Sequence, residues 1–298
     1  MPQKRPVPLT QKAWIRGSAY LNEFQPSSLG LRLKGYTSVT IDNIPMRLTC
    51  RGFPSNRGAG IMAFRRHVAL LAMGKWEPEV STFLGRMLTK GDVFIDVGAW
   101  LGVHTLFAST LVGENGRVFS FEPDPVAHKM LRRNITLNHA RNVELHTEAL
   151  SDTIGTSNLV PITAFGMSYS GVLEQTSSVG IPIQTTTLDQ FVSNACVIPK
   201  IVKVDVEGFE DKVIAGGKGT VSNPNTCIVI EFHSKQLVER GQDPQAVFRS
   251  LFGFGKEVVA IASRGKLHEE DLIPGETGCC WNDGHIALVP SAQSAGWI

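Results

Sequence analysis

Two sets of residues in this 298-residue chain have the types and spacing to do chemistry. The first is Asp96-Val-Gly98-Ala99-Trp100-Leu-Gly102, followed by Glu122-Pro123. A glycine bend lets the backbone approach a ligand closely, and a carboxylate at that remove from it is placed to accept ribose hydroxyls. A dinucleotide cradle needs glycines at 98, 100 and 103, but Trp and Val stand at the last two positions, so a pyrophosphate lacks its seat. Asp96 repels a phosphate and suits the cationic end of an amino acid. The second set is Asp205-Val-Glu207-Gly208 with Glu231-Phe-His233. Carboxylates and an imidazole grouped in this way can take the proton of a hydroxyl. Each residue also has a plainer reading. Glu122 can cap the helix entered at Pro125, Asp205 can cap a loop, Glu207 can orient that loop, and His233 can be a structural strand-end histidine. His104, beside the glycine bend, reads first as a helix-start residue.

These residues sit at the ends of short apolar runs that alternate with helical stretches. Strands are predicted at 93–96, 117–121, 142–147, 201–205 and 227–232, with closing strands at 257–262 and 285–289. Helices are predicted from an opening at Trp76-Glu77-Pro78-Glu79 to Leu88, from about Val103 to Val112, from Pro125 to Asn138 and from Phe209 to about Ala215, with another, capped by Asp243, ending near Leu251. Runs such as Val93-Phe-Ile-Asp96 and Cys227-Ile-Val-Ile-Glu-Phe232 do not alternate, as two-sided burial requires. The rhythm is that of an α/β fold, a mostly parallel sheet with helices on both faces. Residues 153–187 break it with Ser/Thr/Gly-rich, β-like sequence and are read as an inserted flap. Before the sheet, Ser38–Asp42 and Pro45–Thr49 read as a hairpin turning at Asn43, and Met62–Met73 as a helix.

In an open parallel sheet, ligands bind beyond the carboxyl ends of the strands. A carboxylate after the first strand and another after the second, without a phosphate cradle, fit S-adenosylmethionine, which carries a ribose and a zwitterionic amino acid but no phosphate. The segments WEPEV, GDVFIDVGAWLGVHT, GRVFSFEPDP, LRRNITLN, TTLDQF, IVKVDVEGFEDKVIAGG and CIVIEFH, in this order, resemble the FkbM family of S-adenosylmethionine-dependent methyltransferases over roughly residues 76–290. VDVEGFE is the most diagnostic of them. The resemblance implies a class I methyltransferase, Rossmann-like sheet of seven strands with one antiparallel, and O-methylation of a hydroxyl on a sugar, polyketide or similar small molecule. It implies a cofactor site of Asp96, Gly98, Ala99, Trp100, Gly102, Glu122, Pro123, Ala149 and Asp205, with Ala149 beside the adenine and Asp152 within reach of its amine. Asp205, Glu207 and His233 are the candidates for catalysis. Many members of the family carry Asn where this chain has Trp100. Asp205, Glu207 and Glu231 could converge on a magnesium ion, but no spacing demands one, and no metal is predicted.

Composition bounds the rest. With 42% apolar residues and a net charge of +2, the chain is too apolar and too nearly neutral for disorder. Its length allows about two domains, read as a basic N-terminal cap over 1–75 and a catalytic domain over 76–298. Residues 1–66 carry a net charge of +9 and the remainder −7. The basic arm is read as a cap against the acidic domain. A nucleic-acid partner is not expected, since no RNA-binding signature with paired aromatics is present. Methyl transfer to RNA, protein or an amine, with the arm as clamp, is the rival reading, and a non-catalytic binding module is another. No apolar run reaches the 18 residues of a membrane span, and MPQKRPVPLT has no apolar core behind its basic residues. Five cysteines form no paired framework. A cytoplasmic protein acting on a hydroxylated small molecule is expected, with a homo-oligomer left open.

Overall fold

The computed structural model describes residues 36–49, 76–162, 169–174, 180–262, 265–269, 274–275, 278–279 and 284–294. The helix expected at Met62–Met73 and most of the basic arm lie outside them. A hairpin comes first, β1 (Thr37–Ile41) and β2 (Ile44–Leu48), with Ile41 opposite Ile44. Asp42 and Asn43 have φ of 45° and 66°, the doubly left-handed pair that a two-residue hairpin turn needs. That turn consumes Asp42, so each strand lies one residue earlier than expected.

Helix α1 (Pro78–Met87) follows, then β3 (Val93–Val97), α2 (Val103–Val112), β4 (Arg117–Phe121), α3 (Pro125–Leu137) and β5 (Val143–His146). Pro78 and Pro125 each occupy a first turn, where no backbone donor is required. Asp124 caps α3 by accepting from the backbone N–H groups of Val126 and Ala127, each at 2.8 Å. A second sheet intervenes: β6 (Ala149–Leu150), β7 (Gly155–Ile162), β8 (Tyr169–Glu174) and β9 (Ile181–Thr186), in the order β6-β9-β7-β8. After it come α4 (Leu188–Ala195), β10 (Ile201–Val204), α5 (Glu210–Gly216), α6 (Lys218–Ser222), β11 (Cys227–Phe232), α7 (Ser234–Glu239), α8 (Pro244–Ser250) and β12 (Glu257–Ala260). The two-residue strands β13 (Gly265–Lys266), β14 (Pro274–Gly275) and β15 (Gly278–Cys279) lead to β16 (Gly284–Val289). The sequence reading passed over α4, the five-residue α6 and α7. The first starts at Thr187, whose hydroxyl accepts from Gln190 N–H at 3.1 Å, and the other two are too short to show a period.

The main sheet runs β13-β12-β16-β11-β10-β3-β4-β5. Strands β11, β10, β3, β4 and β5 pair in parallel, and β16 lies antiparallel between β11 and β12. Apart from the small edge strand β13, this is the expected seven-stranded sheet with one reversed strand. Successive side chains point to opposite faces. Phe94, Val118, Ile201 and Val229 pack under α1, α2 and the hairpin, while Ile95, Phe119, Val202 and Ile228 pack under α4, α5, α7 and α8. Both faces are therefore core, which explains the unbroken apolar runs. Truncating a wholly buried side chain such as Phe107 to Ala should cost about 3–5 kcal/mol. The hairpin is tied to the sheet through Asn134 on α3. Its amide accepts from Thr49 N–H at 2.7 Å and donates to the Leu101 carbonyl, in the glycine bend, at 2.8 Å.

Candidate active site

The bend after β3 is shaped by its glycines. Gly98 has φ of 81°, and a Cβ there would overlap the carbonyl oxygen of Asp205. Gly102, at φ 83°, caps α2, and a Cβ would collide with Leu131. Between them, the backbone N–H groups of Gly98 and Ala99 both donate to the Phe121 carbonyl, at 3.0 and 3.1 Å. Asp205 N–H donates to the Val97 carbonyl at 3.0 Å. The ends of β3, β4 and β10 are thus locked together. Trp100 adopts φ of 47° and stacks its indole on Trp76 at 5.7 Å.

Glu122, one residue past β4, is fully buried. Its two oxygens accept from Trp100 N–H at 2.8 Å and from Asp124 N–H at 2.9 Å. Burial outweighs these bonds and pushes its carboxyl up to about 8. Asp124, not Glu122, caps α3, so the plainer reading of Glu122 fails. Pro123 lies between them, partly exposed. Asp96, at the end of β3, accepts from the Thr105 hydroxyl at 2.6 Å through Oδ2, while its buried Oδ1 has no hydrogen-bond partner. Ala149 is buried at the start of β6. Asp152 is committed elsewhere, to Lys212 at 2.7 Å.

The second set converges around His233, one residue past β11. Its Nδ1 lies 2.9 Å from Glu210, and its Nε2 faces Glu207 at 3.6 Å, Glu231 at 3.7 Å and Asp205 at 3.9 Å. Burial disfavours the imidazolium, yet Glu210, Asp205 and Glu207 together lift its pKa to about 10. Asp205 feels the opposite balance. Burial works against its ionisation, but the Lys203 ammonium at 2.8 Å, with His233, holds it at about 2. Glu207 is raised to about 7, because burial, with the Asp205 and Glu231 carboxylates beside it, outweighs the pull of His233. Its backbone is left-handed at φ 52°, its carboxylate accepts from Gln236 at 3.2 Å, and Gly208 beyond it packs too closely on Gln236 for a Cβ. Asp205, Glu207 and His233 are therefore one group, and they share the Asp205 backbone with the glycine bend.

Sequence reasoning missed Lys203, Glu210, Glu77, Glu79 and His285. Lys203 did carry a signal, a lone lysine inside the apolar run Ile201–Val204. His104 is buried, and its Nε2 faces Glu77 at 3.7 Å. A surface pocket of about 450 Å³ at Phe252, Lys256, Glu257, Leu267 and Ser291 lies by the amino end of β12, away from all of these groups.

The strand order, the glycine bend after β3 and the buried carboxylate after β4 define a class I methyltransferase fold. The chain belongs to the FkbM methyltransferase family: the Methyltransferase FkbM domain matches residues 96–258. Similar proteins include hexuronic acid methyltransferase AglP of Haloferax volcanii, 28% identical over 195 residues, which are 65% of this chain and 71% of that protein. The 2-O-methyltransferase NoeI of Sinorhizobium fredii is 32% identical over 167 residues, 50% of this chain and 66% of that one. Among solved structures, a methyltransferase FkbM from Methylobacillus flagellatus aligns with a TM-score of 0.43 at 16% identity, and this chain spans 52% of its length. Among the described residues, no helix is long and apolar enough to cross a membrane.

Proposed function

We propose that this chain transfers a methyl group from S-adenosylmethionine to a hydroxyl oxygen of a small, sugar-like acceptor. The observation that carries the reading is the meeting of two sites at one backbone carbonyl, that of Asp205, against which Gly98 packs. When bound, S-adenosylmethionine supplies a methyl carbon activated by its sulfonium. Glu122 accepts the ribose hydroxyls, Asp96 Oδ1 meets the ammonium of the amino-acid end, and the bend from Gly98 to Gly102 presents its backbone, with Ala99, Trp100 and Pro123 as walls. Ala149 bounds the adenine side.

The protein's remaining task is to hold the acceptor oxygen in line with the methyl carbon and to remove its proton. Glu207 is the base. A carboxylate that titrates near 7 is ionised in part at neutrality yet still basic enough to accept a hydroxyl proton. His233, kept protonated by its carboxylates, orients Glu207 and Asp205, and Asp205 stays ionised toward the acceptor and the sulfonium. The name of AglP, a hexuronic acid methyltransferase, supports a uronic acid among the candidate acceptors, and that of NoeI, a 2-O-methyltransferase, supports transfer to oxygen. The sheet β6–β9 shapes acceptor choice.

Two measurements test the reading. Calorimetric titration with S-adenosylmethionine should give one site per chain, and absence of heat at millimolar cofactor would remove it. Labelled methyl transfer onto uronic-acid and neutral glycosides should hardly respond to added salt. Transfer that needs a polyanionic acceptor and collapses between 50 and 200 mM salt would point to RNA instead.

A further inference from the structure

We infer that Glu77, Glu231 and His285 form a binding site for one first-row divalent cation, oriented by Glu79. The reversed strand β16 places His285 directly opposite Glu231 of β11 in the sheet register. Glu77 arrives from the other side, on the residue before α1, held in a left-handed conformation at φ 41°. His285, over nine-tenths buried, directs Nε2 between Glu231 Oε2 at 3.5 Å and Glu77 Oε2 at 3.6 Å. Nδ1 of the same ring lies 3.1 Å from Glu79.

Three features suit this cluster to a cation. First, His285 Nε2 and Glu77 Oε2 are both buried without a hydrogen-bond partner. Second, Nδ1 lies 3.1 Å from Glu79, so a ring that yields its Nε2 proton to a metal keeps Nδ1–H on that carboxylate and turns its Nε2 lone pair toward Glu77 and Glu231. Metal-bound histidines are fixed in this way, through a carboxylate on the far nitrogen. Burial disfavours the imidazolium, yet the carboxylates of Glu231, Glu77 and Glu79 favour it in the absence of a metal; a cation would take the place of the Nε2 proton between the two carboxylates. Third, the separations are wrong for hydrogen bonds, which close to about 2.7–3.2 Å. They approach the roughly 3.4 Å edge of a tetrahedron whose metal–ligand bonds are about 2.1 Å.

The donor set narrows the ion. One imidazole with two carboxylates favours zinc, manganese or ferrous iron over magnesium and calcium, which prefer oxygen alone. Three protein ligands leave a position for a substrate oxygen. Glu231 links the site to the Asp205–Glu207–His233 group, because its other oxygen, Oε1, faces His233. A cation here would draw an acceptor hydroxyl toward Glu207 and make its proton easier to remove.

The test needs neither cofactor nor acceptor, so its failure would leave the methyl-transfer reading standing. The full chain, purified without a polyhistidine tag and stripped with chelator, is titrated with zinc, manganese and magnesium, and its metal content is measured. The expected result is one equivalent of zinc or manganese per chain, a rise in melting temperature on binding, and visible absorption bands with cobalt. Glu79→Gln should weaken binding about 10–100-fold, and His285→Ala should abolish it. If His285→Ala fails to fold, the cobalt spectrum and stoichiometry of the unaltered chain decide alone. Less than a tenth of an equivalent bound, binding of magnesium only, or unchanged affinity in a folded His285→Ala would each overturn the site.

Discussion

Lys203 and Asp205 form an ion pair of 2.8 Å at the carboxyl end of β10, and Lys203 stands opposite Asp96 in the neighbouring strand. Its ammonium is almost wholly buried among the carboxylates of Asp205, Asp96, Glu77 and Glu231, which raise its pKa despite the penalty of burial. One lysine is thus the main counter-charge for a site built largely from acids.

Replacing it with an apolar residue of similar length should therefore be costly. Lys203→Met leaves Asp205 and Asp96 without their cation, and removal of one partner of a buried pair costs about 3–5 kcal/mol. Urea unfolding measures it, and Lys203→Met with Asp205→Asn should recover part of the loss. The native pair also has a pH signature. Asp205 is depressed, so its contribution is complete above its ordinary value of 3.8 and is lost as pH falls toward about 2. A loss below 1 kcal/mol for the single variant would show that the acids do not depend on Lys203.

Two glycines with similar backbones should respond differently to the same change. Gly98 and Gly91 have φ of 81° and 92°, but a Cβ at Gly91 meets nothing within 4 Å. Gly91→Ala should therefore cost only the left-handed conformation, about 1–2 kcal/mol. Gly98→Ala must also push β3 away from Asp205, so it should lose more stability and most of its cofactor affinity. Equal effects in thermal melts and calorimetry would mean that the close approach at Asp205 is not what the bend is for.

Glu122 ties cofactor binding to pH. Its folded value of about 8 lies above the ordinary 4.5, so burying it uncharged is favourable at low pH, and this stabilisation disappears as pH rises through about 8. Accepting ribose hydroxyls on oxygens that already take a backbone N–H each favours the ionised form. Affinity should accordingly improve as pH rises toward 8 and level off beyond it, with a proton released on binding below that pH. Calorimetry in buffers of different ionisation enthalpy detects the proton. Glu122→Gln should bind more weakly, with a flat pH profile. A pH-dependent profile persisting in Glu122→Gln would assign the proton to another group.

The sheet was legible because β3, β4, β10 and β11 are short runs buried on both sides, and such burial leaves an unbroken apolar signature. The tight bend at Gly98 and Gly102 was legible for a related reason: it follows β3 directly, so its glycines are adjacent in sequence to the strand they terminate. What was not legible depends on pairing across the fold. His285 meets Glu231 only because β16 inserts antiparallel beside β11, and Glu77 reaches them from more than 150 residues away in sequence. No local period marks either contact. His233 was readable as a titratable group, but not as an imidazolium, since Glu210 on α5 sets its state from a different element.

Glu207 supplies the last prediction. His233 would be the natural base by its ordinary pKa, but at about 10 it stays protonated at neutral pH and has no lone pair to offer. Glu207, at about 7, does. The methyl-transfer rate at saturating cofactor should rise with pH through about 7 and then flatten, because the ionised carboxylate is the active form. Glu207→Gln keeps the size and the contact with Gln236 but cannot accept the proton, so kcat should fall about 10²–10⁴-fold. The limb near 7 should vanish, and affinity for the cofactor should change little. Stopped-time assays with labelled methyl donor over pH 5.5–9 give all three readouts. If Glu207→Gln keeps both its rate and its limb near 7, proton removal belongs to a different residue or to solvent.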